Sequence, residues 1–167
     1  MAETPKSPAG KKYITKSGFE RLRERFRFLL NEERPRVTRE VQVAAAHGDR
    51  SENYEYKLGK KKLREIDGEI FRLQKKLEAF EVIDPLARPP TERIFFGATV
   101  TVEDEDGEES TFQIVGSDEL EDASDRQRIS YEAPIGRALL GKRTGDAVVV
   151  KRPAGEVELT VVKVEWR

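Results

Sequence analysis

The feature that most constrains this chain is a heptad seam. Leu63, Ile66, Ile70, Leu73, Leu77 and Phe80 recur at spacings of 3, 4, 3, 4 and 3. Such spacing lines one side of an α-helix and asks for a partner helix against it. Extended backward, the seam reaches Tyr56, and Lys, Arg and Glu fill the positions around it. A partner stretch precedes it. Thr15 is a helix N-cap, with Ile14 before it placed to pack on Phe19. Apolar residues follow at Phe19, Leu22, Phe26, Leu29 and Leu30, then more weakly at Val37, Val41 and Ala44. Pro35 must kink this helix or loosen a turn, and His47-Gly48-Asp49 ends it. Two helices of roughly 30 residues joined by a short turn give an antiparallel coiled-coil hairpin on the order of 45 Å long. Its tip is residues 47–53 of a hairpin spanning 13–84.

Beyond the hairpin the period changes. Residues 85–90 read as a stiff, proline-rich linker, and 91–167 as a small α+β domain on an antiparallel sheet. Thr99–Val102 and Thr111–Val115 flank an acidic turn at Asp106-Gly107. Arg128–Tyr131 is a further strand, Pro134–Leu140 a short helix stopped by Gly141, and Ala147–Val150 with Val157–Val161 a second hairpin. The apolar phase then shifts to Val162, Val164 and Trp166, the mark of a bulge.

Composition narrows the function classes. Charged residues, at 38%, match hydrophobic ones, at 37%, which suits a long solvated element better than a deep core. With no cysteine, disulfides and thiolate metal sites are excluded. No apolar run reaches the length of a membrane span, and residues 1–12 read as a disordered leader without an apolar signal core. A soluble, cytoplasmic protein is expected. Residues 1–84 carry 20 Lys+Arg against 15 Asp+Glu, and residues 85–167 carry 11 against 17. A basic half joined to an acidic half suits an oriented encounter with a large charged partner.

The tip holds the candidate chemistry. Asp49 and Glu52 lie three residues apart, so a helix beginning there would project both to one side. Two carboxylates can share Mg²⁺, but they are half a site, because this ion also takes substrate phosphates or further carboxylates. The same spacing reads as a capping box, with Asp49 as N-cap and Glu52 at the third helical position. Lys57, Lys60, Lys61 and Arg64 recur on one side of the second helix, as either a phosphate-binding face or a solvated flank. The single histidine, His47, lacks any zinc-binding or triad context, and no glycine-rich phosphate loop is present, so an independent enzyme is not expected.

Glu32–Pro35, Gly48–Asn53 and Lys61–Asp67 together resemble the bacterial Gre transcription elongation factors. Phe95–Ala98, Ala138–Leu140 and Gly145-Asp146 continue the likeness, which covers about Lys12 to Trp166. The Arg50-Ser51 pair and the lysines after it resemble the GreB type. The resemblance implies an FKBP-like C-terminal domain that docks at the secondary channel of RNA polymerase, which the coiled coil then enters. It implies that Asp49 and Glu52 help hold a second Mg²⁺ jointly with the polymerase, whose own hydrolysis then trims the 3′ end of backtracked nascent RNA. By the same resemblance Ser51 and Asn53 support the tip, Lys60, Lys61 and Arg64 hold extruded RNA, and Glu132 and Pro134 belong to the docking segment. That segment usually reads Asp-Ser-Pro where this chain has Glu132-Ala133-Pro134. A monomer is expected. The alternatives are a channel-binding regulator or inhibitor without cleavage, and a prolyl isomerase, for which residues 85–167 offer no evident apolar pocket.

Overall fold

The computed structural model describes residues 12–47, 53–87, 89–120 and 127–167. They fall into two units: Glu20–Ala79, and residues 12–19 together with Phe80–Arg167.

The first unit is the helical hairpin. Helix α1 (Lys16–Phe28) leads through a π turn (Leu29–Glu33) into α2 (Arg34–Ala45), and α3 (Tyr54–Ala79) returns. The pairing is antiparallel, since partners rise on one side as they fall on the other. Arg25 bonds Glu69, Arg34 bonds Asp67, Val41 lies against Gly59, and the Ala44 carbonyl meets Asn53. Leu29, Val37, Ile66 and Leu73 form the buried core, with Leu22, Phe26, Val41, Leu63 and Ile70 packed around it.

The π turn explains why the first helix looked weak beyond Leu29. Pro35 cannot donate a backbone hydrogen bond, and its ring crowds the preceding turn. The turn widens, and the Arg34 N–H reaches the Leu29 carbonyl five residues back. Leu29 and Val37 are eight residues apart, one more than two helical turns accommodate. The wide turn absorbs that extra residue, so Leu29 and Val37 are 1% and 0% exposed. Leu30, expected among the inward positions, is 44% exposed.

The second unit carries a five-stranded sheet in the order β5-β4-β3-β7-β6, from β3 (Thr99–Glu103), β4 (Glu109–Val115), β5 (Arg128–Ser130), β6 (Ala147–Arg152) and β7 (Gly155–Glu165). Its core includes Ile94, Val100, Ile114, Leu139 and Val161, with α4 (Pro134–Leu139) closing one side. The sheet is mixed rather than purely antiparallel, because β5 runs parallel to β4. A parallel neighbour needs a connection of about a dozen residues, and the long segment between Val115 and Arg128 provides it. The register shifts between Thr101 and Val102, leaving Val162 as the extra residue of a bulge on β7. Trp166 lies in the new phase and donates its indole N–H to the Thr91 carbonyl at 2.9 Å.

Two further strands, β1 (Lys12–Thr15) and β2 (Phe80–Ile83), pair in parallel. Phe80 therefore leaves the heptad seam for a strand. Pro85, in the proline-rich stretch, opens a short 3₁₀ turn and is buried, lying so close to Gly97 that a Cβ there would meet its Cγ at 2.8 Å.

Thr15 caps α1 as expected, its hydroxyl accepting the Gly18 N–H at 3.2 Å. The hydroxyl in turn donates to Glu119, whose carboxylate also accepts the Thr15 N–H at 3.0 Å and the Gly116 N–H at 2.6 Å. Glu119 is 5% exposed. A carboxylate held by helix N-terminal donors stabilises that terminus. Glu119→Ala would strip these buried donors of their acceptor, and a loss of about 2 kcal/mol is expected in urea unfolding. An unchanged midpoint would show that the cap does not depend on this carboxylate.

Candidate nucleic-acid and polymerase interface

Asn53 organises the end of the hairpin. Its Oδ1 accepts the Tyr56 N–H at 3.1 Å, which makes it the N-cap of α3. Its Nδ2 donates to the Ala44 carbonyl at 2.7 Å, in the last turn of α2, which also accepts the His47 N–H at 3.2 Å. One amide thus caps both helices and ties together the two ends of the connection 46–53. This corrects the capping-box reading of Asp49: α3 begins at Tyr54 and its cap is Asn53. Asp49, Ser51 and Glu52 themselves lie outside the described residues.

Along α3 the basic residues form an outward stripe. Lys57, Lys60, Lys61 and Arg64 are exposed, and at 100° per residue they lie opposite the seam of Gly59, Leu63 and Ile66. Among the described residues, no ion pair engages them. Farther from the tip the cations are bound within the hairpin, as Arg25 with Glu69, Arg34 with Asp67, and Arg36 with Glu33 and Glu40. The Asp67 hydrogen bond, and then its charge, raise the Arg34 guanidinium above its ordinary pKa. The stripe is an exposed basic face of α3 near the end of the hairpin.

Gly59 was not singled out by pattern, yet it is buried in the seam between Tyr56 and Leu63. A Cβ there would meet Val41 Cγ2 at 2.7 Å, so glycine permits the close approach of α2 and α3. Beside it, a groove of about 510 Å³ is lined by Arg39, Val43, His47, Leu58 and Lys62.

In the sheet unit, Glu132 sits in the turn between β5 and α4 and Pro134 is the first residue of α4, both exposed. Pro134 opens α4, where its missing N–H costs nothing. Glu132 is held at both ends: its N–H donates to Ser130 Oγ at 3.1 Å, and its Oε2 accepts from Ser117 Oγ at 2.9 Å. Behind it, Tyr131 packs with Tyr13 and Phe96 at ring separations of 5.6 and 5.3 Å. Burial pushes the Tyr131 phenol above its usual pKa. The Tyr13 N–H opposes this, and the charge and hydrogen bond of Glu132 add to it.

Residues 12–82 match the family described as "Transcription elongation factor, N-terminal", and residues 89–166 match "Transcription elongation factor, GreA/GreB, C-term". The chain belongs to the GreA/GreB family of transcription elongation factors. The transcription elongation factor GreB of Pseudomonas aeruginosa (strain PAO1) is 48% identical over 162 residues, 97% of this chain and 95% of that protein. GreB of Neisseria meningitidis serogroup B (strain MC58) is 44% identical over 156 residues, 93% of this chain and 94% of that one. A crystal structure of GreA factor homolog 1 (Gfh1) of Thermus thermophilus is 27% identical with a TM-score of 0.41, covering 93% of this chain and 99% of that one. Transcription elongation is therefore the process this Gre chain serves. Among the described residues, no helix is long and apolar enough to cross a membrane.

Proposed function

We propose that this chain binds RNA polymerase and stimulates the polymerase's own cleavage of backtracked nascent RNA, with Asp49 and Glu52 as ligands lent to a shared Mg²⁺. The observation that carries this reading is the double cap made by Asn53. The cap of α3 is Asn53, so neither Asp49 nor Glu52 is required to cap it. Both belong to a connection whose ends are pinned together at the end of the hairpin.

The donor set fits a hard divalent cation, since carboxylate oxygens are what Mg²⁺ takes, and two of them leave positions for the polymerase and the RNA phosphate. When bound, Mg²⁺ supplies Lewis-acid activation of water and charge stabilisation at the phosphate. The chain's own residues do the rest. Asn53 fixes the end of the hairpin, with Ser51 in the same connection. Lys60, Lys61 and Arg64 attract extruded RNA phosphates, and Glu132 and Pro134 form the docking turn.

The test uses halted, backtracked elongation complexes with purified polymerase and Mg²⁺. Adding the protein should release short 3′ RNA fragments and restore extension. Binding without release would reject cleavage in favour of a channel-binding regulator. The basic stripe has its own test. Lys60→Glu with Lys61→Glu should slow release several-fold, with a steeper loss on long extruded RNA than on short, because each phosphate contact contributes separately. Equal loss on both lengths would make the stripe a solvated flank.

A further inference from the structure

Glu132 has one more side-chain torsion than an aspartate, and it is exposed. Left free, its carboxylate would sample many positions, and a partner would have to immobilise it. The structure holds it instead in a closed ring of hydrogen bonds whose direction can be deduced. Ser117 Oγ lies 2.9 Å from Glu132 Oε2 and 2.6 Å from Ser130 Oγ. An ionised carboxylate only accepts, so the single Ser117 proton goes to Glu132. Ser130 must then donate its own proton to Ser117. Ser130 Oγ accepts the Glu132 N–H at 3.1 Å, which closes the ring. The two hydroxyls each donate and accept, running from an N–H that only donates to a carboxylate that only accepts, an arrangement in which successive hydrogen bonds polarise and strengthen one another.

The ring is anchored from two sides. Ser130 is 8% exposed, at the end of β5. Ser117 begins the 3₁₀ turn Ser117–Glu119, and Glu119 is buried against Thr15. Ser117, in the long segment between Val115 and Arg128, thus reaches across to the turn that precedes α4.

We infer that Ser117 and Ser130 are positioning residues that hold the Glu132 carboxylate as a preformed anion for a cationic group on RNA polymerase. The inference rests on the docking role assigned above to Glu132. It adds what fixes that carboxylate and why a serine far away in sequence matters to it.

The experiment is equilibrium binding of the full-length protein to RNA polymerase, measured by displacement of a fluorescently labelled wild type. The set is Ser117→Ala, Glu132→Ala and the double variant. Ser117→Ala should weaken binding roughly three- to tenfold, the cost of immobilising one long side chain. Glu132→Ala should weaken it further, and the double variant should bind as Glu132→Ala does, because the serine acts only through the carboxylate. Wild-type affinity for Ser117→Ala beside a weak Glu132→Ala overturns the positioning role and leaves the docking role standing. A Ser117→Ala loss of the same size in both backgrounds gives Ser117 a separate role and also overturns it. Full affinity for Glu132→Ala removes the docking role, and the inference with it.

Discussion

Asp49→Ala and Glu52→Ala should each lower RNA release from backtracked complexes by about 10²- to 10³-fold while leaving polymerase affinity within about twofold. The separation follows from where the residues lie. Both belong to the connection 46–53, whereas the turn proposed above for docking is in the other unit, at Glu132 and Pro134. Each carboxylate counts for much because a cation bound by few ligands loses a large share of its affinity with any one of them. The isosteric pair Asp49→Asn and Glu52→Gln sharpens the test. These variants keep the shape and remove the charge, so they should fail almost as badly as the alanines. Raising Mg²⁺ should recover part of the loss in the single variants, because a weakened site can still be filled by mass action. Release at wild-type rates from either single alanine variant would remove that residue from the proposed metal site.

How much could be read in advance differs from element to element. The seam from Leu63 to Leu77 was legible because one helix against one partner imposes a local period, and its burial follows it. The widened turn before Pro35 was legible in kind, since the proline announces a missing donor. The strand pair Lys12–Thr15 with Phe80–Ile83 was not, because it joins segments almost 70 positions apart and four residues are too few to display a period. Phe80 shows the consequence: it continues the heptad count yet belongs to β2. Within the candidate site, spacing and resemblance pointed to the end of the hairpin, but not to the residue that caps α3. Asp49 and Asn53 are both good N-caps, and only the hydrogen bonds to Tyr56 and Ala44 select Asn53. Glu119 was one more acid in an acidic stretch. Its burial against Thr15, like the closure of Ser117 onto Glu132, depends on tertiary contacts that leave no local pattern.

Gly136→Ala is expected to be the most damaging small substitution in the sheet unit. Gly136 lies in the first turn of α4 and is buried. A Cβ there would fall on the Ser130 carbonyl oxygen and within 3.0 Å of the Tyr131 Cα. Both obstacles are backbone, so no side chain can swing aside, and α4 would have to lift off β5. That movement would pull Leu139, 0% exposed, from the core and strain the Ala133 N–H bond to the Ser130 carbonyl at 3.1 Å. Overpacking of this kind costs on the order of 3 kcal/mol, or roughly 12–24 °C in melting temperature for a unit of about 100 residues. The hairpin has its own core and can unfold separately, so the readout should belong to the sheet unit alone. Trp166, the single tryptophan, provides one through its packing and its bond to Thr91. Gly141→Ala is the control. Gly141 follows α4 with a φ of +83° and nothing within 4 Å of an added Cβ, so it should show only the backbone penalty of about 1 kcal/mol. If Gly136→Ala melts no lower than Gly141→Ala, close packing of α4 on β5 is not what holds the turn at Glu132 in place. If it melts far lower and also weakens polymerase binding at temperatures where it remains folded, the turn at Glu132 owes its shape to that contact.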